Sequence, residues 1–330
     1  MEKKDIFILI GCILLFWILC VIAYFIDKSR FNDYKIHFIS NLESLDDKYE
    51  NGDAILIEAK GKYAMIDLGN TELLTPKNII GYLQERKIDD LEFLLITHVH
   101  NDHAWNLKEI FKNNIHIKTL YIKEYDDSYT LETSISKYNR LMRLIDENRD
   151  LVDEIRFVNT KPEGTLYTFD NIDIKMTLYN NTRNANANKE ENYNSVISLI
   201  EINNHKVLLT SDAYDTKQLN EIASGIGKVE VLKVPHHGLR GCALLDKKYT
   251  GDVVGKGSKV KSTALNDLKP DYYVITNSNK KIHNFIKDKK AKYNDLCISV
   301  LPKDNLYFVD ESARALVFDF TGENIEIESE

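Results

Sequence analysis

From residue 31 to the C-terminus, apolar and polar positions alternate in short runs broken by turn residues. Lys35–Ile39, Ala54–Ala59 and Tyr63–Leu68 carry β-branched and aromatic residues between turn signals and predict strands. Asn51-Gly52-Asp53 and Lys60-Gly61-Lys62 supply the turns. Pro76, near the start of Thr75–Arg86, suits the first turn of a helix. Leu91–Thr97 predicts a buried strand, Ala104–Phe111 a helix, Thr119–Lys123 a strand and Thr133–Asn148 a long amphipathic helix. The rhythm then repeats. Strands are predicted at Asp173–Tyr179, Ser195–Ile202, Lys206–Thr210, Val229–Val234 and Asp271–Thr276, with helices at Thr216–Ser224 and Lys281–Lys289. Two βα halves of similar order predict an α/β fold of two packed mixed sheets with helices outside.

The N-terminus has a different pattern. Ile6–Ile26 is 21 residues without a charge, bracketed by Lys3 and Lys4 on one side and Lys28 and Arg30 on the other. A bilayer core of about 30 Å needs roughly 20 such residues in a helix, whereas a cleaved signal peptide has an apolar region of only about 7–15. Leu9-Ile10-Gly11-Cys12 has the form of a lipoprotein box but almost no apolar run before it. The expectation is a retained membrane anchor over residues 1–30 with its span at 6–26. That makes a single-pass protein of the cell membrane, with the domain that follows facing out of the cytoplasm. The basic residues on the two flanks nearly balance, so they orient the span only weakly.

Composition narrows the class. The 330 residues include 43 basic and 51 acidic ones, a net charge of −8, with 28% charged and 43% hydrophobic. This is a globular balance. Without residues 1–30 the charge is −9, which argues against a nucleic-acid partner, since such proteins present basic surfaces. No Pro/Gly/Ser-rich linker divides residues 31–330, so one domain is expected there; Asn180–Asn192 is polar and is expected as a loop insertion. Of the four cysteines, Cys12 and Cys20 lie in the apolar run, so only Cys242 and Cys297 can pair within a folded domain.

The chemistry sits at predicted strand ends. Thr97-His98-Val99-His100-Asn101-Asp102-His103 follows a buried strand and precedes a helix. A chain leaving a strand can turn alternate side chains into one pocket, so His98 and His100 can converge on one ion, and Asp102 and His103 can face a second. Imidazole and carboxylate are ligands that zinc accepts. Leu208-Leu209-Thr210-Ser211-Asp212 is an apolar strand ending in a carboxylate, which could bridge two ions or serve as a helix cap. Val234-Pro235-His236-His237-Gly238 ends another buried strand, and Gly238 permits a sharp turn.

Together THVHNDH, Ile66-Asp67-Leu68-Gly69, LLTSD and VPHHG resemble the metallo-β-lactamase superfamily, most of all the branch of the competence-type DNA-uptake hydrolase domains. Leu120–Ser128, Phe169–Tyr179 and Asn194–Ser198 resemble the catalytic domains of teichoic acid phosphorylcholine esterases, a likeness that spans roughly residues 50–325. The resemblance implies an αββα sandwich with two divalent metal ions, zinc first and manganese as an alternative. It implies that His98 and His100 hold one ion, that Asp102 and His103 hold the other, and that Asp212 bridges them. His237 would be a further ligand, His236 the catalytic contact to phosphate, and Asp67 a carboxylate orienting a ligand histidine. Two departures stand out. Tyr193-Asn194-Ser195 contains no histidine where many superfamily members supply one, and Leu239-Arg240-Gly241-Cys242 stands where the uptake-type proteins usually show serine.

The expected function is a membrane-anchored two-metal hydrolase that cleaves a phosphoester or phosphodiester of an anionic small molecule or polymer through a metal-bound hydroxide. A nuclease-like hydrolase is the alternative within the class, and a catalytically inactive binding module on the same fold is the alternative outside it. The segment Asp246–Lys261 carries five lysines against two aspartates and is expected as a basic loop near the site. Trp105 and Tyr125 are read as core or pocket-wall residues.

Overall fold

A computed structural model describes residues 12–21, 33–40, 52–70, 76–184, 186–245, 249–250, 253–254, 262–288, 292–309 and 314–330. The lysines of the expected basic loop 246–261 lie outside these residues.

The apolar N-terminus is described as one helix, α1 (12–21). Ten residues make about 15 Å of helix, half of a bilayer core. Among the described residues no helix is long and apolar enough to cross a membrane. The expected span at Ile6–Ile26 is corrected accordingly, and with it the single-pass membrane localisation and the extracytoplasmic placement. The remaining positions of that run lie outside the described residues.

The strands are β1 (Tyr34–Ile39), β2 (Ala54–Ala59), β3 (Lys62–Leu68), β4 (Asp90–Leu91), β5 (Leu94–Leu95), β6 (His116–Ile122), β7 (Val152–Phe157), β8 (Thr165–Phe169) and β9 (Ile174–Tyr179). After them come β10 (Ile197–Ile202), β11 (His205–Leu209), β12 (Val231–Lys233), β13 (Tyr249–Thr250), β14 (Val253–Val254), β15 (Tyr272–Ile275), β16 (Leu306–Phe308), β17 (Ala315–Asp319) and β18 (Glu326–Ser329). The helices after α1 are α2 (Pro76–Glu85), α3 (Asn101–Ala104), α4 (Leu107–Lys112), α5 (Glu132–Glu147), α6 (Thr216–Ile226), α7 (Ala264–Leu268) and α8 (Asn279–Lys287).

One sheet runs β18-β17-β1-β2-β3-β5-β6-β4, with β7 also paired to β6. The other runs β16-β15-β12-β11-β10-β9-β8. Both are mixed: β1 to β3 pair antiparallel, β3-β5-β6 parallel, β9 to β11 antiparallel, and β11-β12-β15 parallel. A strand covered on both faces reads as a nearly continuous apolar run, as AILIEA in β2 and ISLIEI in β10 do. Ile36, Phe38, Ile55 and Ile66 of the first sheet meet Ile174, Met176, Ile200 and Val207 of the second in one core. On the far side of the first sheet, Leu83 of α2, Ile110 of α4 and Leu141 of α5 pack in a second core. On the far side of the second, Leu219 and Ile222 of α6, Leu268 of α7 and Ile282 of α8 pack in a third. Two mixed sheets with outer helices are therefore present as expected.

Local departures have local causes. Leu91–Thr97 is two short strands, β4 and β5, and its end is diverted: the Thr97 amide donates to the Asp67 carboxylate at 2.8 Å. The helix expected at Ala104–Phe111 is two short ones, split at Asn106, whose side-chain amide donates to the carbonyls of Leu68 and Asn70 at 2.7 and 3.2 Å. Strands β7 and β8 escaped prediction: three of six residues in β7 are exposed, and β8 buries none of its residues fully, so neither shows the apolar face of a core strand.

The polar segment 180–194 is an anchored wall. The Asn181 amide donates to the carbonyls of Val158, Lys161 and Pro162, and the Asn180 amide to those of Tyr193 and Ser195. Lys123, fully buried after β6, donates to the Thr182 and Asn194 carbonyls at 3.0 and 2.7 Å and to Asn194 Oδ1 at 2.9 Å. Burial pushes the Lys123 ammonium down to about 7, against the opposing charges of Glu191 and Glu163. Because folding lowers this pKa from 10.5, the penalty for the charged form is full below about pH 7. It fades as pH rises towards the unfolded value. Lys123→Met should therefore flatten the rise in stability from pH 7 to pH 10 by roughly 3 kcal/mol, measured by urea unfolding of both proteins across that range.

Candidate metal centre

Four chain segments leave strand ends and meet at one edge of the two sheets. Residues 98–103 follow β5 and enter α3, which places Asp102 and His103 on that helix's first turn. Asp67 lies near the end of β3, and Asp212 three residues beyond the last pairing of β11 with β10. His236 and His237 follow β12 in a short turn at Pro235–Gly238. The backbone is forced at these points. Asp67, Ser211, His236 and His237 all have φ between 47° and 56°, in the left-handed region that non-glycine residues rarely occupy and that concentrates at functional sites. Gly238 follows at φ 76°, where an added Cβ would come within 3.3 Å of Ile275.

The structure brings His98, His100 and Asp212 together, and likewise Asp102, His103, Asp212 and His237; within each group the nearest ligating atoms lie within 4.8 Å of one another. Asp212 belongs to both. Its Oδ1 lies 3.3 Å from His103 Nε2 and 3.2 Å from His237 Nε2, and the latter atom is 3.4 Å from Asp102 Oδ2. His236 stands to one side, with Nε2 3.8 Å from Asp212 Oδ2.

Hydrogen bonds behind the cluster aim its rings. His103 Nδ1 donates to Asp67 Oδ2 at 2.7 Å. The Thr276 hydroxyl donates to Asp53 at 2.6 Å and so accepts from His237 Nδ1 at 2.9 Å. The Thr97 hydroxyl donates to Asp67 at 2.6 Å and so accepts from His98 Nδ1 at 3.2 Å. Each ring is thus held through Nδ1, with Nε2 facing inward. The buried Nε2 atoms of His98, His103 and His237, and Asp212 Oδ1 with them, have no hydrogen-bond partner. Buried polar atoms are otherwise almost always satisfied. Four unsatisfied atoms turned towards one another are what cation ligands look like without their cation, and the outward Nδ1 bonds are the usual support of a ligating histidine. The residues present fit a metal.

Three residues of this centre are not legible from the motifs. Asp53, in what reads as a turn, is buried and accepts from Lys233 Nζ at 2.5 Å and from Thr276. Lys233 is wholly buried in β12 and also donates to the Ser211 carbonyl at 2.8 Å. Its signal was present: a lysine inside the apolar run Val231–Val234 must find an anion. Thr276 carried no signal, and only the parallel pairing of β12 with β15 brings its segment beside His237.

The electrostatics are those of a buried charge cluster. Burial works against every carboxylate here, but His237 and His103 hold Asp212 well below the usual range. Lys233 and His237 do the same for Asp53, and His237 and His103 for Asp102. Burial raises Asp67. Against their own burial, His103 is held well above its ordinary value by Asp212 and Asp67, and His237 is pushed up to about 10 by Asp212 and Asp53. Burial drives His98 well down, His100 to about 4, and His236 below its usual value.

The cluster opens to a cavity of about 300 Å³, whose walls include His100, Glu190, Tyr214, His236 and Arg240. Glu190 belongs to the polar segment expected as an insertion.

These features define a class. Residues 48–174 match the family model of the metallo-beta-lactamase superfamily, whose members are mostly hydrolases, in line with the motifs and the two-sheet fold. No curated protein matches the chain. Among solved structures it is similar to the metallo-β-lactamase fold protein YhfI from Bacillus subtilis (11% identity, 87% of this chain and 99% of that one, TM-score 0.48). It is similar to a diphosphatase of the PhnP family (11%, 89% and 100%, 0.47) and to Zn(2+)-bound PqqB from Methylobacterium extorquens (13%, 83% and 97%, 0.46). Likenesses this distant say nothing about substrate.

The cavity wall is stapled. Cys242 and Cys297 form a disulfide, the one pairing open to the folded part of the chain, and the Cys297 amide donates to the Leu239 carbonyl at 3.0 Å. The loop it holds carries the Arg240 carbonyl that accepts from His236 Nδ1. The cross-link closes a separation of 55 residues, worth about 4 kcal/mol in the chain-entropy account. Cys242→Ala/Cys297→Ala should lose stability of that order in denaturant titration.

Proposed function

We propose that residues 31–330 form one hydrolase domain that binds two divalent metal ions, zinc or manganese, and cleaves phosphoesters or phosphodiesters. The observation that carries this reading is the set of four buried, unpartnered atoms turned on one another: Nε2 of His98, His103 and His237, and Oδ1 of Asp212. His98 and His100 would hold one ion, Asp102, His103 and His237 the other, and Asp212 both. Bound there, divalent cations supply Lewis acidity and lower the pKa of water.

The protein's own residues account for the rest. Three carboxylates held ionised (Asp53, Asp102 and Asp212) face one buried ammonium, Lys233. Asp67, which accepts from His103 Nδ1 and the Thr97 hydroxyl, adds a fourth carboxylate behind them, and the charge of two divalent cations would outweigh the sum. An anionic substrate is thereby attracted to a chain whose overall charge is negative. The Arg240 side chain on the cavity wall adds a further cation. Asp67, through His103 Nδ1, and the pair Asp53 and Thr276, through His237 Nδ1, keep the rings in place during turnover.

In this reading His236 moves the proton. Its Nδ1 donates to the Arg240 carbonyl, and its ring stands at the cavity 5.0 Å from that of Tyr214. With the Nδ1 proton fixed, Nε2 is the atom that takes a proton from the attacking water and returns it to the leaving oxygen. The motif likeness to phosphorylcholine esterases supports the same role.

Two measurements test the reading. Elemental analysis of the purified protein should find close to two divalent ions per chain. Asp212→Ala should lower the occupancy of both positions, and His98→Ala should empty mainly one. Absence of bound metal, with no hydrolysis even after zinc or manganese is added, would overturn the hydrolase reading and leave a binding module. On bis(p-nitrophenyl) phosphate, His236→Ala should keep its metal and lose about 10²–10⁴-fold in kcat. His237→Ala should lose metal and activity together. Retained metal in the second variant and lost metal in the first would exchange the two roles.

A further inference from the structure

A second groove, of about 470 Å³, lies outside the metal cluster. One wall is Val99, Ala104 and Trp105, from the same segment that carries the histidines: Val99 lies between His98 and His100, and Ala104 follows His103. The other wall is α5, which presents Lys137, Arg140 and Arg143, and Lys108 of α4 closes one side. Groove and cluster thus share a stretch of chain. Lys137 lines the groove, and its charge is also felt at His100, after burial and Asp102, and at Glu190, both of which line the cavity of the metal centre.

The groove's cations are available. Of its two carboxylates, Glu109 is engaged by Lys112 at 3.3 Å, and Glu147 lies one turn beyond Arg143 at the end of α5. Among the described residues, none of Lys108, Lys137, Arg140 and Arg143 takes part in an ion pair. Lys137, Arg140 and Arg143 follow one another at intervals of three along α5, where like charges repel and destabilise the helix. The Arg140 guanidinium is fixed 3.4 Å above the Trp105 ring centroid. A fixed guanidinium fork is suited to the paired oxygens of a phosphate. The indole face it covers is lost as a platform for stacking a nucleobase. From Lys137 to Arg143 the helix axis advances about 9 Å, so the groove leads away from the metal centre along α5.

We propose that this groove is a second phosphate subsite. It rests on the phosphoesterase reading: with the scissile phosphate in the metal centre, a distal phosphate of the same substrate lies against Lys137, Arg140 and Arg143. The enzyme then favours esters that carry two or more phosphates over those that carry one.

Two probes test this on the full-length, metal-loaded protein: 6-hydroxyhexyl p-nitrophenyl phosphate, and the same compound phosphorylated on its free hydroxyl. The wild type should prefer the phosphorylated probe in kcat/KM by roughly 10- to 100-fold, the range of hydrogen bonds to charged groups, and the preference should lie in KM. Arg140→Gln/Arg143→Gln should bring the ratio close to one, and Arg140→Lys/Arg143→Lys should restore part of it. A ratio near one in the wild type, or one that the glutamine variant leaves intact, would overturn the subsite. A binding arm is independent of turnover. The chain has two tryptophans, so Trp17→Phe leaves Trp105 as the sole reporter in the groove. Its emission should change on titration with 1,6-hexanediol bisphosphate and should not in the Arg140→Gln/Arg143→Gln background. If neither ester is cleaved while this signal persists, the phosphoesterase reading fails and the anion site stands. No signal in the wild-type groove would remove the site.

Discussion

Asp212 is the residue on which the rest of the site turns. Its carboxylate is 1% exposed, it is shared by both ligand clusters, and its Oδ1 has no hydrogen-bond partner. An isolated buried carboxylate costs many kcal/mol, so its surroundings must supply positive charge. They do so in layers. Imidazoles stand against it, Asp67 and Asp53 hold those imidazoles from behind, and Lys233 balances Asp53. Metal ions would complete the same balance from within. The order of these layers explains why charged residues penetrate so far into the apolar end of two sheets. Each is there to answer another.

The fold serves that arrangement by bringing unrelated strand ends to one place. The parallel run β11-β12-β15 puts Asp212, the histidine pair and Thr276 at the same edge of its sheet. In the facing sheet, β3 and β5 pair parallel and deliver Asp67 and residues 98–103. The strain of left-handed φ values at Asp67, Ser211, His236 and His237 is concentrated here, where the chain must turn side chains towards the centre. Elsewhere the same fold encloses apolar side chains in three cores, and these hold the strained turns in place.

Around the centre, polar loops are built as walls. The segment 180–194 would be a solvated insertion by composition, yet Asn180, Asn181 and Lys123 tie it down and it carries Glu190 to the cavity. Opposite it, the disulfide between Cys242 and Cys297 holds the loop bearing Leu239 and Arg240. The helix α5 has two uses of one kind of spacing. Leu141 and Ile145 enter the core while Lys137, Arg140 and Arg143 line a groove beside the metal centre.

The sequence alone determined the strand-rich rhythm, because period and turn chemistry are local. It determined the dense HxHxDH segment and the two further strand ends, because their residue types are costly to bury without a purpose. It also isolated Cys242 and Cys297 by elimination. It misjudged the N-terminal run, where length and hydropathy predicted a span and the described helix covers ten residues. What only the tertiary structure decided were the partners. Asp53 looks like a turn residue, Lys233 like an anomaly in an apolar strand and Thr276 like nothing at all, until the packing of one sheet on the other sets them behind the clustered histidines. Which face of α5 would stand beside the metal segment was equally invisible. Sequence spacing fixes how a residue points along its own strand or helix. What stands opposite is fixed by long-range packing, and it is the opposite group that decides whether a buried charge is tolerated.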